Sequence, residues 1–142
     1  MTEPADIIEA LRQLFLDRED VTAVVAQRIY GGELPQDEVK DQPRPALLIQ
    51  PSGGTSLTGG SFIGADAQRI DLFAFGATLP EAARIAAIAS RTLGRVNRQS
   101  YAGVLIHWAN SAGGYSNSRD PDGGWPRAFR SFQVFHALDK SQ

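Results

Sequence analysis

The chain has 142 residues, of which 42% are apolar and 21% charged, with a net charge of −2; this suits one domain spanning 1–142 with its own core and excludes a disordered tail. It contains no cysteine, which rules out disulfides, thiolate catalysis and cysteine-ligated zinc. No apolar run reaches the roughly 18 residues of a membrane helix, and the start Met1-Thr2-Glu3-Pro4-Ala5-Asp6 lacks the basic-then-apolar pattern of a secretory signal, so a soluble intracellular domain without a membrane partner is expected.

The first predicted element is a helix with Thr2 as N-cap and Pro4 in its first turn. Ile7, Ile8, Leu11, Leu14 and Phe15 recur at helical spacing on one face, with Glu9, Arg12 and Gln13 pointing away. A second, shorter helix covers Val21 to Gln27, with Val21, Val24 and Val25 inward. Arg28-Ile29-Tyr30 then reads as a short strand, and Glu33 to Pro45, with three prolines, as a loop. This front part is acidic: residues 1–41 hold ten acidic and four basic residues, a local charge of −6, and residues 42–142 carry +4.

Ala46 to Gln50 is a predicted buried strand stopped by Pro51-Ser52-Gly53-Gly54. The Gly-, Ser- and Thr-rich stretch from Gly53 to Gly64 carries Leu57, Phe62 and Ile63, apolar groups that make sense at a loop tip if they dock on a partner. In the strand from Gln68 to Phe75, Ile70, Leu72 and Ala74 share one face while Arg69, Asp71, Phe73 and Phe75 share the other. Thr78-Leu79-Pro80-Glu81 has capping-box spacing and opens a long helix, whose buried stripe is Ile85, Ile88, Ala89 and Thr92, widened by Ala82 and Leu93. Arg84, Arg91, Arg95 and Arg98 fall on one side of that helix if it continues past Gly94. Strands follow at Val104–Ala109 and Arg127–Leu138, joined by a Gly-rich segment with a turn at Asp120-Pro121-Asp122-Gly123, close to Trp125.

The expected architecture is α+β: an antiparallel or mixed sheet of four to five strands, packed with two N-terminal helices and one long helix, in the order α-α-β-β-β-α-β-β. Both long strands are apolar on two faces, so the second face needs a cover. That cover is either the N-terminal helices, with the long helix opposite, or another subunit; the neighbour is the preferred reading.

Motifs for chemistry are missing. There is no Gly-x-Ser-x-Gly, His-Glu-x-x-His, Gly-Lys-Ser/Thr or Gly-x-Gly-x-x-Gly, and the Asp120/Asp122 pair lacks the further ligands of a calcium loop. His107 and His136 lie within predicted strands with no recognisable partner in sequence. The expectation is therefore no catalytic, cofactor-binding or metal residues. Leu57, Phe62, Ile63, Phe73, Phe75, Arg84, Arg91 and Trp125 are the candidate residues for an interface with another subunit or partner.

Taken in order, the helix Ile7-Ile8-Glu9-Ala10-Leu11-Arg12-Gln13-Leu14, its continuation to Arg28-Ile29-Tyr30, the strand Pro45-Ala46-Leu47-Leu48-Ile49, the strand Gln68 to Phe75, the Ala-rich helix after Pro80 and the strand Phe129-Arg130-Ser131-Phe132-Gln133-Val134 resemble the tail-completion, or tail-terminator, proteins of long-tailed bacteriophages, prophages and gene transfer agents. The resemblance covers nearly the whole chain and is one of pattern and order. It implies a non-enzymatic homo-oligomer, commonly a hexameric ring. The ring would cap the tail tube protein, meet the head–tail connector, or neck, protein, and let DNA pass through its lumen without specific binding. The implied location is the neck end of the virion tail, with assembly in the host cytoplasm. A head-closure or neck adaptor, a small nucleic-acid-binding module using the arginines, and a small hydrolase using a histidine are the alternatives.

Overall fold

A computed structural model describes residues 5–52, 65–113, 116–119, 121 and 123–138. Helix α1 (Ile7–Leu16) begins at Asp6, whose side chain accepts a hydrogen bond from the Glu9 N–H. The cap expected at Thr2 therefore moves to Asp6, while Thr2 and Pro4 lie outside the described residues. An aspartate at this position satisfies an otherwise orphaned donor and complements the positive end of the helix dipole. Ile7, Ala10, Leu11, Leu14 and Phe15 form the buried stripe of α1. Helix α2 (Glu19–Val25) runs two residues earlier than the spacing suggested and buries Val21 and Val25.

Strand β1 (Ile29–Gly31) pairs in parallel with β2 (Ala46–Pro51). Parallel neighbours need a crossover rather than a tight turn, and the crossover contains a short helix, α3 (Gln36–Asp41). The segment expected to be a loop thus carries a helix. Strand β3 (Ala65–Phe75) lies antiparallel to β2, with Leu48 opposite Phe73 and Ala46 opposite Phe75.

Gly76 then passes so close beneath the following helix that a Cβ there would lie 2.8 Å from the Ala82 nitrogen. Helix α4 (Leu79–Gly94) opens with the expected cap: the Glu81 N–H donates to Thr78 Oγ1 at 3.2 Å. The Glu81 carboxylate reaches back one residue further than the standard box, accepting from the Ala77 N–H at 2.8 Å. α4 stops at Gly94, Arg95 is its C-cap, and Arg98 lies beyond it with φ +52. The four arginines therefore do not share one helix side: Arg84 and Arg91 are on α4, and Arg95 and Arg98 are past its last helical residue.

Strands β4 (Gln99–Tyr101), β5 (Val104–Ser111), β6 (Ser116–Arg119) and β7 (Pro126–Ala137) complete the sheet. Among the described residues it has seven strands in the order β1-β2-β3-β7-β5-β4, with β6 also on β7. The twelve-residue β7 is central. One edge pairs with all of β3, from Ala65↔Ala137 to Phe75↔Arg127; the other pairs with β5 near Phe132–His136 and with β6 near Pro126–Phe129. A bulge between Ile106 and Trp108 shifts the β5 register. The α+β class agrees with expectation, whereas the four helices and seven strands among the described residues exceed the expected three and four to five; α3, β4 and β6 are the additions.

All three longer helices share one side of the sheet. Phe15, Leu11, Val21, Val25, Ile85, Ala89 and Leu93 form a single cluster with Leu47, Ile49, Ile70, Leu72, Phe132 and Val134. The N-terminal helices thus do not cover the second face, and that alternative is overturned.

Candidate assembly surface

Alternation along β3 and β7 sends Ile70, Leu72, Phe132 and Val134 into the helical core, and turns Arg69, Asp71, Phe73, Phe129, Ser131 and Phe135 to the other side. Phe73, Phe129 and Phe135 remain only half-buried there. Phe73 and Phe129, neighbours across the two strands, have ring centroids 5.3 Å apart in a tilted pair, and the Arg127 guanidinium carbon stands 5.0 Å from the Phe73 centroid. Such ring and cation–π contacts are favourable even when partly wet. Farther along β7, Trp108 stacks on Phe135 at 5.4 Å, and His107 tilts against the same ring at 5.3 Å. Between the two aromatic groups Arg69 Nε donates to Ser131 Oγ at 2.8 Å, and Asp71 Oδ1 is buried with no hydrogen-bond partner among the described residues.

At the β1 end, the face dips into a depression of about 350 Å³. Leu34 and Val39 from the crossover, Leu48, Phe73, Phe75 and Trp125 give it an apolar lining, with Glu33, Gln50 and Arg127 also bordering it. Phe75 and Trp125 meet edge to face at 6.5 Å. The Trp125 ring occupies the space where a Cβ on Gly123 would stand, so the glycine in the β6–β7 connection admits the indole. Pro121 and Gly123 lie in the expected turn, whereas Asp120 and Asp122 fall outside the described residues.

One wall of the depression is held by a buried carboxylate that the sequence did not advertise. Glu38 on α3 is 3% exposed. It accepts from Arg44 Nε at 2.9 Å, from Arg44 Nη2, from Gln42 Nε2 at 3.0 Å and from Tyr30 Oη at 3.2 Å. Its hydrogen bonds to Arg44 foremost hold the Glu38 carboxyl below its ordinary value, against the opposing effect of burial. Burial, followed by the Glu38 charge, raises the Tyr30 hydroxyl. A carboxyl depressed in the folded state contributes stability that is full above its ordinary value of about 4.5 and is lost as pH falls through the folded value. Glu38→Gln is therefore expected to lower the unfolding free energy at neutral pH by about 1.5–3 kcal/mol. Denaturant titrations should show this gap closing as pH falls below about 4.5.

Of the residues singled out in the sequence, Phe73, Phe75 and Trp125 come together at the depression. Arg84 and Arg91 are exposed on α4, away from it on the helical side. Leu57, Phe62 and Ile63 lie outside the described residues. The readings missed Glu38, Leu34 and Val39; Pro35 followed by Asp37 and Glu38 was a usable helix-start signal, with Arg44 six residues on. A second depression, between α2 and the end of α4, is polar and lined by Asp17, Arg18, Glu19, Asp20, Thr92, Arg95 and Gln99. Part of its lining is engaged internally, with Arg18 Nη2 donating to Gln99 Oε1 at 2.9 Å and Tyr101 Oη to Asp17 Oδ2 at 3.0 Å.

Among the described residues no group of three or more His, Asp or Glu side chains is placed to hold a metal ion. His136 is buried in β7, with Nδ1 2.7 Å from the Ala137 carbonyl oxygen, and His107 lies against Phe135. No described helix is long and apolar enough to cross a membrane.

Comparison of the sequence with protein families gives no match, and comparison with curated proteins gives none. The structure is similar to a solved chain described as belonging to the virion of a native gene transfer agent particle. The TM-score is 0.56 at 15% identity, covering 93% of this chain and 92% of that one. At that identity the likeness is one of fold.

Proposed function

We propose that this protein is a structural subunit of a phage-like particle, and that within it the chain is a tail-terminator ring subunit capping the tail tube and meeting the head connector. The observation that carries this reading is the half-buried aromatic face opposite all three longer helices. Several phenylalanine and tryptophan side chains left partly in water represent several kcal/mol of burial still available, at about 25 cal/mol per Å². The similarity of fold to a chain of a gene transfer agent virion supports the same reading. A closed ring needs two different surfaces on each subunit, and the helical side and the partly covered aromatic sheet side differ in chemistry as that requires. A small negative net charge suits a lumen through which DNA slides without specific binding.

The test is to mix the purified protein with tail tubes, follow co-sedimentation, and weigh the bound species by native mass spectrometry. A multimer bound at tube ends is expected. Binding to the head connector but not to tubes would instead make the chain a neck adaptor. A monomer that ignores both overturns the proposal.

A further inference from the structure

Resting on the ring reading, we infer that the outer side of α4, at Arg84 and Arg91, docks on the apolar depression of the neighbouring copy. Arg84 and Arg91 are seven residues apart, two turns or about 10 Å along one side of the helix. Both are exposed, as is Ala87 between them, and neither forms an ion pair among the described residues. Glu81, the one acidic residue of α4, is bound to the Ala77 N–H. Two long side chains are thus left with stems that can cover apolar surface and guanidinium groups suited to aromatic faces and carboxylates.

The depression offers both. Phe73, Phe75 and Trp125 line it, and Arg127, 5.0 Å from the Phe73 centroid, already seats a guanidinium in this way. Glu33 borders the depression and Asp37 stands exposed on the adjoining α3; neither forms an ion pair among the described residues. The crossover from Glu33 to Asp41 carries four acidic residues and one basic, so its sign opposes that of the α4 surface, which favours this docking. The fold makes the contact intermolecular. Helix α4 turns Ala82, Ile85, Ala89 and Leu93 toward the sheet, so its arginines face away from the sheet on the helical side, whereas the depression opens on the other side. A subunit cannot bring its own α4 to its own depression. Two unlike surfaces on opposite sides of one molecule give the head-to-tail contact from which a ring closes.

Charge reversal tests the pairing in the full-length protein. Arg84→Glu/Arg91→Glu and Glu33→Arg/Asp37→Arg variants, all at exposed positions, should keep the parent's circular dichroism. Each should associate at least tenfold more weakly in sedimentation velocity, alone and with tail tubes, at about 0.1 M salt, where surface charges still act. The chain carrying all four substitutions should recover most of the lost association, because every contact then meets an opposite charge again. Double variants that assemble like the parent overturn the inference and leave the ring reading standing; if the α4 variant meanwhile loses retention on duplex DNA, the arginines serve phosphate instead. Loss in both double variants without recovery in the fourfold variant also overturns the inference. A parent protein that does not assemble, alone or on tubes, overturns both readings.

Discussion

Phe15→Ala is expected to lower the free energy of unfolding by about 3–5 kcal/mol, a large share of the roughly 5–15 kcal/mol that holds a domain together. Phe15 ends the buried stripe of α1 and is fully enclosed. It belongs to the cluster that joins α1, α2 and α4 to the sheet. Removing the ring forfeits its transfer energy and leaves a cavity that packed helices close only in part. Urea titration reads the effect as a lower midpoint at unchanged slope. A loss under about 1 kcal/mol would mean that the helical layer is not packed as described.

Phe129→Glu should have the opposite profile, with little effect on folding and a large effect on assembly. Phe129 is half-buried on the bare face, 5.3 Å from Phe73. Losing that ring pair and some covered area costs the isolated fold about 1–2 kcal/mol. A carboxylate desolvated in an apolar intersubunit contact, with the nearby Arg127 already seated over Phe73, costs a few kcal/mol, enough to weaken association about a hundredfold. Circular dichroism should remain that of the parent while sedimentation velocity shows monomer. Unchanged assembly would remove the sheet face from the interface.

The contrast between these two phenylalanines was partly legible in the sequence. Helical spacing put Phe15 inside, and alternation along β3 and β7 showed apolar groups on both faces. It did not show which face the helices cover, because an alternating strand offers two apolar sides and names no occupant for either. Helix α3 was hidden because it has six residues and its buried residue is Glu38, a type that reads as solvent-facing. Only the fold brings Arg44, Gln42 and Tyr30 to that carboxylate. Strand β6 escaped because all four of its residues are exposed and it has no apolar alternation to read. The arginine stripe was conditional on a helix running through Gly94, and Arg98, at φ +52, lies outside helical geometry. The capping box at Thr78 and Glu81 was visible because its signal is local, needing four consecutive residues and no tertiary partner.

Electron microscopy of the purified protein, alone and with tail tubes, tests most directly whether the bare sheet face is completed by copies of the same chain. Rings with a central opening, six-fold if the tail-terminator reading holds, are expected in solution or at tube ends. Dispersed single subunits beside uncapped tubes would contradict it.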